Sequence, residues 1–257
     1  MLKNFRPILI IAGDPESVFL EIFFKSLKKN KFKNPLILII NEKLLSKQMR
    51  ALRYNFKINK LDINHLNYKH LTNKTVNIIH VPFNNKFTSK YIYQSFEKAL
   101  LLIKKNNNIN LINGPINKKK ILKQRFLGIT EYLDFKTKSN GKTVMLIYNK
   151  DLSVSPLTTH LPLKKVYKHI NKKKIINHVQ QITKFYKNNF GIKPRIGITG
   201  LNPHCESNFK KSEEKNFIIP AIKDLSKKKF KVTGPYAADT IFLREKLKNF
   251  DVIIGMY

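Results

Sequence analysis

Apolar residues fall along this chain in short unbroken runs, separated by longer stretches in which they recur every three or four positions. The runs 7–12, 35–40, 77–81, 110–112, 143–148, 195–199, 231–233 and 252–256 predict buried strands. The segments 17–30, 42–54, 89–105, 172–188 and 213–225 predict amphipathic helices with Lys on their outer faces. Strands alternating with helices in this way predict an α/β fold with largely parallel sheets. The 257 residues suffice for two lobes. A boundary near residue 125 would divide a first α/β lobe, 1–125, from a second, 126–257. The polar stretch 136–142 reads as a surface loop.

Composition changes that picture little. Apolar residues make up 42% and aromatics 11% of the chain, which suits a packed protein rather than a disordered one. The formal charge of +34 invites a nucleic-acid reading. However, the basic residues are nearly all Lys, with only six Arg, and they are scattered along the whole chain. Base and phosphate recognition favours bidentate Arg on a recognisable motif, so neither specific nucleic-acid binding nor a membrane partner is expected. One cysteine, Cys205, excludes an intramolecular disulfide and a cysteine-based zinc cluster, which suits a cytoplasmic setting.

Ligands of open α/β sheets gather beyond the carboxyl ends of the strands. Those positions hold Gly13-Asp14-Pro15, Asn113-Gly114-Pro115, Gly200-Leu201-Asn202-Pro203-His204 and Gly234-Pro235. Two of the seven His stand beside Pro-stiffened backbone: His160 in Thr158-Thr159-His160-Leu161-Pro162-Leu163, and His204 in Asn202-Pro203-His204. Each reads as a metal ligand or as a hydrogen-bonded turn residue. The other five, at 65, 70, 80, 169 and 178, lack such a turn, and His169 and His178 read as solvated helix residues. Lys118 can meet a phosphate or carboxylate, or begin a solvated helix.

These motifs, with Glu206, Glu213-Glu214, Pro220-Ala221 and the run Gly234-Pro235-Tyr236-Ala237-Ala238-Asp239-Thr240-Ile241-Phe242, resemble the 4-hydroxythreonine-4-phosphate dehydrogenase family. Asn113 to Lys118, Gly13-Asp14-Pro15 and Thr130-Glu131 fit the same pattern. The resemblance implies two-lobed α/β/α subunits related to isocitrate and isopropylmalate dehydrogenases, without a Rossmann Gly-x-Gly-x-x-Gly fingerprint, and none occurs in this sequence. It further implies a homodimer with its active site at the interface, and NAD or NADP as hydride acceptor, with cofactor-binding residues unassigned. The implied substrate is the small phosphorylated amino acid 4-phosphooxy-L-threonine, oxidised and decarboxylated to 3-amino-2-oxopropyl phosphate on the route to pyridoxal 5'-phosphate.

Carried over by residue, the resemblance makes His160 and His204 ligands of a divalent metal (zinc, cobalt or magnesium), and Asp239 an acid near it. Asp239 also reads as a helix N-cap before Thr240. Thr130 matches a substrate-binding Thr, Glu131 supports its turn, and Ile129 stands where the family's pattern has a substrate-binding His. The first loop lacks the family's Gly-Ile-Gly-Pro, and Lys210 and Lys211 replace glycines after His204. Cys205 reads as filler. The family's third His belongs to a Tyr-His-Asp-Gln run, and the sequence stops at Tyr257, one residue before it. The expectation is therefore a C-terminally truncated, inactive copy. The alternatives are a related dehydrogenase for a phospho-threonate and an acyl-phosphate transferase on a related fold.

Overall fold

The computed structural model describes residues 6–68, 71–106, 109–117, 126, 128–139, 142–205 and 211–257. Lys118, Glu206, Lys210 and His70 lie outside them. The chain divides into two compact units, Met1–Arg125 and Phe126–Tyr257.

The first unit is built on five parallel strands in the order β3-β4-β2-β1-β5: β1 Ile8–Ile11, β2 Leu36–Ile40, β3 Ile58–Lys60, β4 Val76–His80 and β5 Asn110–Asn113. β2 is the sequence Leu-Ile-Leu-Ile-Ile with every residue buried, as a strand covered on both faces requires. Alternate residues face opposite sides of the sheet. Ile10, Leu38 and Ile40 form one core cluster with Leu20, Phe23 and Phe24 of α1 (Phe19–Lys29) and Leu45 and Met49 of α2 (Glu42–Ala51). Helix α3 (Thr88–Lys105) packs on β1 and β2 and buries Ile92, Phe96, Ala99 and Leu102. Asn41 caps α2, its side chain accepting from the backbone N–H groups of Lys43 and Leu44 at 3.1 and 3.2 Å.

The second unit has four parallel strands in the order β6-β9-β7-β8: β6 Ser153–Pro156, β7 Ile196–Thr199, β8 Val232–Tyr236 and β9 Val252–Gly255. Ile196, Ile198, Val252 and Ile254 share a core with Ile175, Val179, Ile182 and Tyr186 of α5 (Lys172–Phe190) and Ala221, Ile222 and Leu225 of α6 (Ile219–Lys227). Ile253 points to the other face, against Ile241 and Phe250. Helix α4 (Ile129–Thr137) opens this unit.

The α/β architecture with parallel sheets is as the pattern predicts, but the second unit corrects several elements. The apolar run 143–148 is not a strand; only Ile147 makes an antiparallel bridge, to Val154. The edge strand is instead Ser-Val-Ser-Pro, whose buried Ser153 and Ser155 no apolar count finds. They are satisfied by fixed partners: Ser153 accepts from the Tyr186 hydroxyl at 2.8 Å, and Ser155 donates to the Met145 carbonyl at 2.5 Å. Residues 136 and 137 belong to α4 rather than a loop, and the three-residue strand β3 is too short to show as a run. The predicted helix 213–225 is broken into a π turn, Glu214–Ile218, and α6. Pro220 excludes the ordinary N–H bond four residues back, and the N–H of Ile219 reaches the Glu214 carbonyl, five back.

Candidate functional site

All strands of the second sheet run parallel, so their carboxyl ends lie along one edge. That edge carries residues 157–160 after β6, 200–204 after β7, 237–239 after β8 and 256–257 after β9. His160 and His204 therefore leave the same edge of one sheet, with β9 between the strands that carry them. Both are exposed, and both have left-handed backbone, with φ of 56° and 55°. Non-glycine residues adopt that region at a cost, so each loop must be held by its surroundings.

The His204 loop is held by Glu214, a completely buried carboxylate that the sequence offers only as one of two adjacent acids. Its Oε1 accepts the backbone N–H groups of Leu201 and Asn202 at 2.8 and 2.9 Å, and its Oε2 accepts the Asn202 side-chain amide at 2.8 Å. Burial raises its pKa, but the donors from Asn202 and Leu201 outweigh this and hold it below the usual carboxylate range. Gly200 is required at the start of the loop, since a Cβ there would lie 2.6 Å from Cys205 Sγ and 3.0 Å from Glu214 Oε1. Burial pushes the Cys205 thiol up, and Glu214 and Asp239 push it the same way, so it stays a protonated, packed side chain.

Asp239 approaches His204, Oδ2 to Nδ1, at 3.1 Å, with both side chains exposed. It lies in a turn that closes from Ile241 N–H to the Ala237 carbonyl rather than at a helix start, so the capping alternative falls away. The His160 loop is tied at two points. Thr158 Oγ1 donates to the Met256 carbonyl at 2.7 Å, and Thr159 Oγ1 donates to Glu131 Oε1 at 3.1 Å. Glu131 stands in the first turn of α4, where a carboxylate also meets the positive end of the helix dipole.

Ile129 and Thr130 open α4 just after Gly128. Thr130 lines a cavity of about 250 Å³ with Glu131, Asp134, Thr143, Thr159 and Lys174. His178, expected in solvent, also reaches it and is 4% exposed. Its Nε2 lies 2.7 Å from Ser155 Oγ. Burial, with the nearby Lys174 charge, lowers its pKa to about 4, so the ring is neutral. Helical periodicity reports a buried face but not what a buried imidazole meets there.

In the first unit, residues 13–16 and 113–117 also follow strands. Gly13 and Gly114 lie where β1 and β5 converge, and an added Cβ at Gly13 would be 2.3 Å from the Pro115 carbonyl. A cavity of about 430 Å³ lies beside Asp14, Glu16, Lys47, Gln48, Asn85 and Thr88. Among the described residues, no group of three or more His, Cys, Asp or Glu side chains is assembled to hold a metal ion. Also among them, no helix is long and apolar enough to cross a membrane.

Residues 31–257 match the family model described as pyridoxal phosphate biosynthetic protein PdxA. The chain is 33% identical over 264 aligned positions to the 4-hydroxythreonine-4-phosphate dehydrogenase of Sulfurihydrogenibium sp. (strain YO3AOP1), covering 97% of this chain and 79% of that one. It is 29% identical to that of Wigglesworthia glossinidia brevipalpis, over the whole chain and 80% of the relative. Among solved structures, it is similar to a 4-hydroxythreonine-4-phosphate dehydrogenase from Burkholderia phymatum, with a TM-score of 0.78, 25% identity, and coverage of 99% and 81% of the two chains. On the sequence match and on the fold, the chain belongs to the family of pyridoxal phosphate biosynthetic proteins PdxA.

Proposed function

We propose that this oxidoreductase is a metal-dependent dehydrogenase that transfers hydride from the secondary alcohol of 4-phosphooxy-L-threonine to NAD or NADP. The resulting 3-oxo acid loses carbon dioxide to give 3-amino-2-oxopropyl phosphate, a precursor of pyridoxal 5'-phosphate. The observation that carries the reading is the pair of imidazoles at one sheet edge, each on a strained loop tied to a carboxylate.

The residues fit a divalent cation. Two imidazoles are suitable donors for zinc or cobalt, and Asp239 beside Nδ1 of His204 leaves Nε2 as its donor. A bound divalent cation supplies Lewis acidity toward the substrate's hydroxyl and carbonyl oxygens. Asp239 orients His204 and can take a proton from the substrate side. Thr130 donates its hydroxyl to the substrate phosphate. Glu214 fixes the loop that presents His204. The reading includes a homodimer completing the site and a cytoplasmic location.

The test is the formation of reduced nicotinamide by the native protein supplied with 4-phosphooxy-L-threonine, before and after chelation. Turnover that disappears with the metal and returns on adding cobalt or zinc supports the reading. Undiminished turnover after complete metal removal, or acyl transfer to phosphate in its place, rejects it. Ile129, apolar where the family's pattern has a substrate-binding imidazole, favours a second reading in which the substrate is a phospho-threonate. Comparison of kcat/KM for the two substrates separates these.

A further inference from the structure

One oxygen of Glu131 is unaccounted for. Its Oε1 accepts the Thr159 hydroxyl, whereas Oε2 is buried with no hydrogen-bond partner among the described residues. A desolvated carboxylate oxygen without a donor is costly, and more so when charged, so such an atom calls for a proton donor in the working protein. One candidate is marked by Gly128. A Cβ added there would lie 2.8 Å from Glu131 Oε2 and 3.2 Å from His160 Nε2. The carboxylate and the ring nitrogen thus both approach the same bare Cα, where any side chain would crowd them. His204 already has its carboxylate, Asp239, on Nδ1, while His160 has no carboxylate within ion-pair distance among the described residues.

We propose that Glu131 is the positioning residue of His160: Oε2 accepts the proton on Nε2 after a small turn of the ring over Gly128, which fixes the imidazole and leaves Nδ1 free for a divalent cation. The inference rests on reading His160 as a metal ligand. It makes the two histidines opposite in sense, His160 offering Nδ1 and His204 offering Nε2. It also gives the Thr159 bond a purpose, since the residue before His160 and the ring itself are then held by the two oxygens of one carboxylate. Partners of this kind raise the basicity of a ligating imidazole, and their loss typically lowers metal affinity about 10- to 100-fold. The rival donor is the Lys174 ammonium, which lines the same cavity as Glu131.

The test uses the metal-free protein first. Proton NMR at fixed pH should show a ring N–H of His160 protected from exchange, assigned by its loss in His160→Ala. Glu131→Gln, which keeps an acceptor for Thr159, should lose that signal with the melting temperature nearly unchanged, and Lys174→Met should keep it. Cobalt titration, read by its visible absorption, should then show affinity reduced about 10- to 100-fold in Glu131→Gln and unchanged in Lys174→Met. Retention of the protected signal and of cobalt affinity in Glu131→Gln would overturn the proposal. So would an equal loss in Lys174→Met. A signal that depends on Glu131 in a protein that takes up no cobalt would leave the Glu131 contact standing and reject the metal reading instead.

Discussion

Both sheets are parallel, yet they are made differently. In the first unit, β1 and β2 are uninterrupted aliphatic runs, and β4 breaks its run with Asn77, which donates to the Leu36 and Thr72 carbonyls, and ends on His80. In the second, β6 is Ser-Val-Ser-Pro and β8 ends Gly-Pro-Tyr. Pro235 lacks a ladder donor, and the pairing of β7 with β8 shifts register where Gly234 and Pro235 intervene. The first sheet coheres mainly by apolar burial, with the buried Asn77 side chain tied to the Leu36 and Thr72 carbonyls and to Asn59. The second spends part of its interior on polar groups with fixed partners, and it is the one whose carboxyl edge presents His160, His204 and Asp239. Such groups hold loops at fixed positions, which non-directional burial does not do.

The comparison predicts that the units fail differently. The largest effect belongs to the edge of the second sheet: His160→Ala or His204→Ala should lower metal-dependent turnover of the native protein by about 10³-fold or more, roughly 4 kcal/mol, with the circular dichroism spectrum unchanged. Full activity in either variant would remove that residue from the site. In the first unit, Ile39→Ala empties a wholly buried position of β2. It should cost about 2–5 kcal/mol of stability in urea unfolding and leave cobalt affinity alone. A change in cobalt affinity would show that the two units do not behave separately.

The polar interior of the second unit should also appear as pH dependence. His178 is held near pKa 4, below its ordinary 6.5. Above pH 6.5 the folded and unfolded chains both keep it neutral, and its contribution is fully present. As the pH falls, the unfolded chain takes up a proton that the folded one refuses, so stability declines until the pH nears 4. The loss from this group is about 3 kcal/mol, and urea midpoints at pH 7.5 and 4.5 should converge in His178→Gln. An unaltered slope in that variant would place the titrating group elsewhere. The smallest effect is expected at the surface: Asp224→Asn, which breaks the exposed pair with Lys172 at 2.7 Å, should leave the urea midpoint nearly unchanged.

The aliphatic strands and the long helices were legible because period and run length report burial directly. β6 was not, because its buried residues are serines and its neighbour, 143–148, carries the apolar run without the strand. His160 and His204 were singled out by the Pro-stiffened turns beside them and by the family pattern, whereas neither the burial and partners of Glu214 nor those of His178 could be read from an acid in a motif and a helical histidine. Their roles come from partners 12 to 23 residues away, His178 to Ser155 and Glu214 to Asn202.

The sequence by itself determined the alternation of strand and helix, the family, and the residues able to ligate or donate. Only the tertiary structure decided which side chains meet across loops. Glu131 reaches Thr159 across 28 residues, while Asp239 meets His204 from the next strand of the sheet. The physical reason is that spacing along a strand or helix encodes only which face is buried. Hydrogen bonds between loops depend instead on strand order and register, which arise when the whole sheet is assembled.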